Sequence, residues 1–327
     1  MDITLDSIET TTATALVGHG ASESVAASVA AAVRSAEGNG NRICGLYYVE
    51  SYCLQLRSGR VDGRAEPTVT VDRPGVVRVD GRLGFAQPAF DAGFDQAVAA
   101  ARTQGVAALS IEHTHTATAV GYFTERLARA GLISFGCTNA SPRVAPPGGS
   151  TPLLGTNPLA LAVPDGQGGI AFGFDFSTSA VALGRITMAA AAGEKIPLGW
   201  AIDDDGKPTT DPHAALTGSM LSTGGYKGFG LGLMVEVLAA GLTGGRASVD
   251  VPPLKATEGP PHDLGQFYLL VDPDAFTGER LHRLTDQLHM IVDAQPEARL
   301  PGSNRQRRDP VDVPDDLWDR MIELSRG

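Results

Sequence analysis

The sequence predicts a mixed α/β fold. A strand, a helix and a second strand follow one another between Val106 and Cys137, and strand–helix alternation of this kind builds a sheet with helices packed on it. Apolar runs at Leu159–Val163 and Ile170–Phe174 lack the polar alternation of a half-exposed strand, so part of the sheet is buried on both faces. Forty glycines, against about 23 at the average usage of ~7%, point to tight turns and close backbone approaches.

Each element follows from its own pattern. Ser22 is an N-cap, and Val25, Val29, Ala32, Val33 and Ala36 recur at helical spacing until Gly38 ends the run. A polar break precedes a short helix over Leu46–Leu56. Val69–Val71 and Val76–Val79 read as short strands. Ala89–Gln104 is a helix with Phe90, Phe94, Ala97, Val98 and Ala101 on its apolar face, closed by Gly105. Val106–Ile111, Ala117–Ala130 and Leu132–Cys137 are the strand, helix and strand of the alternation. Ser179 starts another helix. Gln266–Val271 is a strand, and Gly278–Val292 and Asp315–Glu323 are helices.

Composition narrows the partners. A net charge of −11 argues against nucleic acid, whose phosphates need a basic face. Cys44, Cys53 and Cys137 form no C-x-x-C pair and read as reduced thiols of a cytoplasmic protein, with neither a disulfide frame nor a metal site. The first residues carry no basic start with a long apolar run, and no stretch approaches the ~18 apolar residues of a membrane span.

Several segments are candidates for chemistry. Lys227 lies in a glycine cradle, Gly224-Gly225-Tyr226-Lys227-Gly228-Phe229-Gly230, ahead of an apolar helical run, where backbone N–H groups and the helix dipole favour an anion. The glycines miss the G-x-G-x-x-G spacing and follow no clear strand, and no Walker A loop is present. Leu154-Gly155-Thr156-Asn157-Pro158 offers an amide and a hydroxyl to a ligand, or else forms an ordinary Asx turn. Asp175-Phe176-Ser177-Thr178-Ser179 places hydroxyls and a carboxylate at a strand end. Arg299-Leu300-Pro301-Gly302-Ser303-Asn304-Arg305 is a turn edged with cations. His113 and His115 end a strand, and at i, i+2 they point the same way as substrate contacts or as polar loop residues.

Together with Gly84-Phe85-Ala86-Gln87-Pro88 and Ser58–Gly63, the runs GYKGFGLGLMVEVLAAGLTGG, LLGTNPLALAVP and RLPGSNR resemble the type-2 malate/L-lactate dehydrogenases. Within that family they look nearest to the Δ1-piperideine-2-carboxylate/Δ1-pyrroline-2-carboxylate reductases, over about Ser22 to Arg308. The resemblance implies a family-specific, non-Rossmann α/β fold that binds NADPH or NADH, with NADPH preferred, and a second helix-rich domain. It implies a discontinuous substrate and dimerisation domain of residues 1–115 and 255–327, a cofactor domain of residues 116–254, and a homodimer. Asp175, Phe176, Ser177, Thr178 and Ser179 would line the cofactor. Tyr226, Lys227, Gly228, Gly302, Ser303 and Asn304 would flank it, and Thr156 and Asn157 would approach its nicotinamide end.

The resemblance breaks at one place. The family motif after the first long helix is Ser-His-Gly with an Arg three positions later; here Ile43-Cys44-Gly45-Leu46-Tyr47-Tyr48 puts Cys44 at the histidine and Tyr48 at the arginine. A ketone needs a proton as hydride arrives, and losing the acid costs about 10²–10⁴ in rate. A cyclic imine arrives already protonated. The expected activity is therefore reduction of a cyclic imine, in secondary metabolism. One alternative is a 2-oxo acid oxidoreductase in which Tyr47, Tyr48, Cys44, His113 or His115 gives the proton and Arg42 meets the anion. Another is a cofactor-binding relative without turnover.

Overall fold

The computed structural model describes residues 1–302 and 307–327. In chain order the elements are β1 (Asp2–Ile3), α1 (Leu5–Gly18), α2 (Glu23–Gly38), α3 (Val49–Ser58), β2 (Thr68–Arg73), β3 (Val76–Gly84), α4 (Ala86–Gln104) and β4 (Val106–Thr114). Then follow α5 (Val120–Arg129), β5 (Ile133–Thr138), β6 (Leu159–Pro164), β7 (Ile170–Phe176), α6 (Leu183–Ala192), β8 (Ala201–Ile202), α7 (Pro212–Thr217) and β9 (Ser219–Met220). The last are α8 (Tyr226–Glu236), β10 (Leu264–Val271), α9 (Gly278–Asp293), β11 (Val311–Asp312) and α10 (Asp315–Ser325).

Seven strands form one sheet in the order β2-β3-β4-β10-β5-β6-β7. Only β3 and β4 run parallel, and α4 is the crossover that parallel neighbours require. The strand period of two decides the layers. Leu109 and Ile111 of β4 and Tyr268 and Leu270 of β10 point to one face, where Phe90 of α4 and Phe123 of α5 cover them. Phe267 of β10, Cys137 and Leu159 point to the other, under Val235 of α8 and Ala239 of the π turn that continues it. The expected burial on both faces holds for the middle of the sheet. The division expected at 115/116 and 254/255 falls between neighbouring strands of this continuous sheet, since β10 pairs with β4 on one side and β5 on the other.

Beside the sheet, α1, α2, α3 and α10 enclose a second core with Leu5, Ile8, Val29, Leu46 and Tyr52 at its centre. Ser22 caps α2 as expected, its Oγ accepting from the Val25 N–H at 3.3 Å. The sequence reading missed α1, whose threonines are poor helix formers. Thr4 caps it, and Leu5, Ile8, Ala15 and Leu16 drive it into the core. Ser179 does not start a helix: its Oγ donates to the Val181 carbonyl at 2.7 Å and it bridges to Ser222, so α6 begins only at Leu183. Among the described residues no helix is long and apolar enough to cross a membrane, and no group of three or more His, Cys, Asp or Glu is placed to hold a metal.

Candidate active site

A cleft of about 710 Å³ lies where the helical unit meets the sheet. One wall is the segment after α2. Two short 3₁₀ turns, Arg42–Cys44 and Leu46–Tyr48, present Cys44, Tyr47 and Tyr48 to the cleft. Glu37, buried in the last turn of α2, holds this wall by accepting the Leu46 N–H at 2.7 Å. Its carboxylate fills the space beside Gly45, where a Cβ would meet Oε1, so a larger residue there would displace Glu37 from the wall.

The facing wall comes from strand ends and loops: Thr118, Asn139, Thr156, Asp175, Phe176 and Ser177. Asp175 closes the start of α5, its Oδ2 accepting the Gly121 N–H at 2.8 Å, a favourable place for a carboxylate at a helix N-terminus. Burial, and then the Asp175 charge, push the Cys44 thiol up to about 12 against the pull of a hydrogen bond with Asn41. Burial, with Cys44 and Tyr47, pushes Tyr48 up to about 12 as well. Neither group is an effective acid at neutral pH.

A second cleft of about 1170 Å³ adjoins the first, sharing Ser35, Asn39, Tyr122 and Glu125. Arg34, Arg126, Arg129, Arg299 and Arg307 line it, as does Gly302. A Cβ on Gly302 would meet the Gly173 carbonyl at 2.6 Å, so the turn lies tight against β7. The expected cofactor contacts Ser303 and Asn304 lie outside the described residues.

Several expected site residues sit elsewhere. Arg42 is exposed and turns to Asp312 at 3.5 Å, away from the cleft. His113 takes a positive φ of 55°, which breaks the pleat, so it and His115 do not share a direction. Its Nδ1 lies 2.7 Å from Asp263. Burial alone would lower its pKa, but that bond and the charges of Asp263, Glu112 and Asp80 raise it. His115 is buried, with Nε2 2.8 Å from Gln55 and its ring stacked 4.0 Å from His262; it does not line the cleft and is not placed to give a substrate a proton. Asn157 is fully buried, its amide donating to the Gly232 carbonyl and to Glu236, so it is spent on α8. Thr178 and Ser179 are buried behind Ser177, their hydroxyls donating to backbone carbonyls. Tyr226 and Lys227 are exposed on the first turn of α8 and line neither cleft, and Gly228 is buried under Thr223.

The buried histidines make the fold acid-sensitive. Burial, with His262 and Arg60 nearby, holds His115 well below its usual value, and burial takes His262 from 6.5 to about 3. Both are neutral in the folded chain and take up protons on unfolding below pH 6.5. Their contribution is therefore intact above pH 6.5 and lost as pH falls toward 3, at up to about 1.4 kcal/mol per unit per histidine. The urea midpoint is expected to fall between pH 7 and pH 5, and His262→Gln to reduce that slope; an unchanged slope in the variant would contradict the assignment.

Sequence reading missed Lys255. It lines the cleft, and its Nζ lies 3.2 Å from the centre of the Tyr47 ring and 4.7 Å from that of Tyr48. A cation over aromatic faces is a stabilising arrangement. The local text Pro252-Pro253-Leu254-Lys255 reads only as a loop, and no nearby residue signals its destination.

A family model described as malate/L-lactate dehydrogenase matches residues 3–321. The chain belongs to the malate/L-lactate dehydrogenase family. It is 41% identical over 293 residues to a Δ1-pyrroline-2-carboxylate reductase of Ancylobacter novellus, spanning 89% of this chain and 86% of that one. It is 38% identical over 324 residues to a (2R)-3-sulfolactate dehydrogenase (NADP+) of Chromohalobacter salexigens, spanning 98% and 96%. The solved Δ1-piperideine-2-carboxylate reductase of Pseudomonas syringae pv. tomato superposes with a TM-score of 0.90 at 35% identity, over 99% of both chains. The resemblance read from the sequence motifs is thereby shown, as is the fold that this dehydrogenase family shares. Among its members this chain carries Cys44 and Tyr48 in a cleft wall built by Glu37 and Gly45.

Proposed function

We propose that the protein is an NAD(P)H-dependent oxidoreductase that reduces a small cyclic imine. Relatives named as imine reductases support the class of reaction. The observation that carries it is the chemistry of the wall at Cys44 and Tyr48. Both side chains hold their protons up to about 12, so the cleft offers little acid to a ketone. A cyclic imine already protonated on nitrogen needs none, and the Asp175 carboxylate across the cleft favours that cationic form.

The residues fit a dinucleotide. The cleft has the size of a small-molecule site (~300–1,000 Å³), and it continues into the second cleft, where Arg34, Arg126 and Arg129 carry ion pairs and Arg299 and Arg307 lie near Gly302 in the same lining. Asp175, Phe176, Ser177 and Thr156 would hold the nicotinamide end, and the arginine-lined cleft near Gly302 would hold phosphates, with NADPH preferred. The cofactor, when bound, supplies hydride to the imine carbon. Phe176 would shield one side of the pocket from water, and the Thr156 and Ser177 hydroxyls would orient the ring facing them.

A homodimer is part of the same reading. Tyr226, Leu233, Met234, Val237 and Leu242 leave an exposed apolar strip along α8 and its π turn, larger than a lone chain gains from. Purified protein is expected to consume NADPH or NADH with Δ1-pyrroline- or Δ1-piperideine-type substrates and to scatter light as twice the chain mass. Neither cofactor binding nor turnover on any such imine would sink the enzymatic reading, and a monomer at micromolar concentration would sink the dimer.

A further inference from the structure

We propose that Lys255 is the cation that binds a carboxylate on the substrate, held for that purpose over the rings of Tyr47 and Tyr48. This rests on the imine reductase reading and adds the residue by which this chain would prefer a ring imine carrying a carboxylate to an uncharged one.

The lining contains two cations, Lys255 and Arg143. Arg143 lies on the loop after β5, whose backbone pairs with Leu154 and Met220. Lys255 stands over the wall that Cys44, Tyr47 and Tyr48 form, with its Nζ against both tyrosine rings. No described ion pair engages it; Glu50 is the acid whose charge it feels. Loss of hydration brings its pKa down to about 8, with Glu50 pulling the other way, so the ammonium gains from an anion brought to it.

Its placement is built. Three side chains from α3 and its exit bind the backbone on both sides of Lys255. Arg60 Nε and Nη2 donate to the carbonyls of Pro260 and Pro253 at 3.0 Å each, and Nη1 donates to that of Ala256. Gln55 Nε2 donates to the Leu254 and Ala256 carbonyls at 2.9 and 2.7 Å, and Ser58 Oγ to that of Thr257 at 2.6 Å. A merely solvated lysine would not need five carbonyls of its loop fixed. Tyr48 directly precedes α3, so one helix sets both the ring and the cation lying on it. The floor of two rings leaves the ammonium's outer N–H groups for a carboxylate, and an uncharged imine would leave them to water.

The test compares Δ1-pyrroline-2-carboxylate with 2-methyl-1-pyrroline, the same ring without the carboxylate. Lys255→Met is expected to raise KM for the carboxylate by about 10–100-fold, the worth of a hydrogen bond to a charged group. It should leave kcat, NADPH affinity and the KM of the uncharged ring within about twofold of the wild type, since only the carboxylate meets the ammonium. Lys255→Arg should recover most of the loss. Equal effects on both rings, or a KM rise in Arg143→Met instead, would overturn the assignment. If the wild type reduces neither ring, the imine reading fails on its own. The assignment then rests on calorimetric binding of pyrrole-2-carboxylate to the NADPH-saturated protein: binding by the wild type that Lys255→Met loses supports it. No binding by the wild type, or equal binding by both, overturns it.

Discussion

Replacing Arg60 with methionine is expected to lower folding stability by about 2–6 kcal/mol, the cost of leaving two buried backbone carbonyls without their donor at about 1–3 kcal/mol each. Arg60 is 2% exposed and is the largest fully buried side chain described. It meets no carboxylate. Its guanidinium is spent on three backbone carbonyls, those of Pro253, Ala256 and Pro260. Methionine keeps much of the stem volume but leaves the Pro253 and Pro260 carbonyls without this donor, at about 1–3 kcal/mol for each that water cannot reach, while Gln55 still donates to Ala256. The loss should appear as a lower urea midpoint with an unchanged slope. Arg60→Lys should fall between, because one ammonium cannot span three divergent carbonyls. A second consequence is functional: with its clamp weakened the 253–260 loop loosens, and KM for the carboxylate imine should rise while NADPH affinity holds. An unchanged midpoint in Arg60→Met would show that Gln55 and Ser58 hold the loop alone.

Cys44→His is expected to raise reduction of a 2-oxo acid by about 10²–10⁴, the range that a placed general acid supplies. Burial at position 44 disfavours an imidazolium, and the Asp175 charge opposes that cost. The Asp175 charge that pushes the thiol up would favour a protonated histidine in the same place. Adding Tyr48→Arg as a double variant should bring little more: a cation at 48 would stand next to Lys255 and repel it, and Lys255 already serves the carboxylate. Steady-state rates with a small 2-oxo acid decide the matter. No gain from Cys44→His across neutral pH would mean that proton supply is not what separates this cleft from a ketone reductase.

Most of the sheet was legible from the sequence, because strand residues alternate and the helices between them carry clear apolar faces. Where reading failed, the deciding contact was remote. α1 is written in threonines and is helical because α2 and α10 bury one side of it. Lys227 has the local marks of an anion site, but glycines and a helix start do not reveal what the turn meets, and it lines neither cleft. His113 and His115 looked paired until a positive φ at His113 separated them. The substitution at 44 and 48 was readable by comparison with a motif. Its counterpart was not: Lys255 reaches the same place from about two hundred residues further on, through a loop whose course is dictated by Arg60. Asn157 shows the reverse error, a loop amide that reads as a ligand contact and is instead consumed by Glu236 and Gly232.

The position of β10 bears on how such a chain is made. The strand at the middle of the sheet, between β4 and β5, comes from residues 264–271. During synthesis the segments of β2-β3-β4 and β5-β6-β7 are therefore made well before the strand that joins them. An open edge is a template for pairing with another chain. Residues early and late in the sequence must meet before the core closes, and pairing across such separations favours slow assembly.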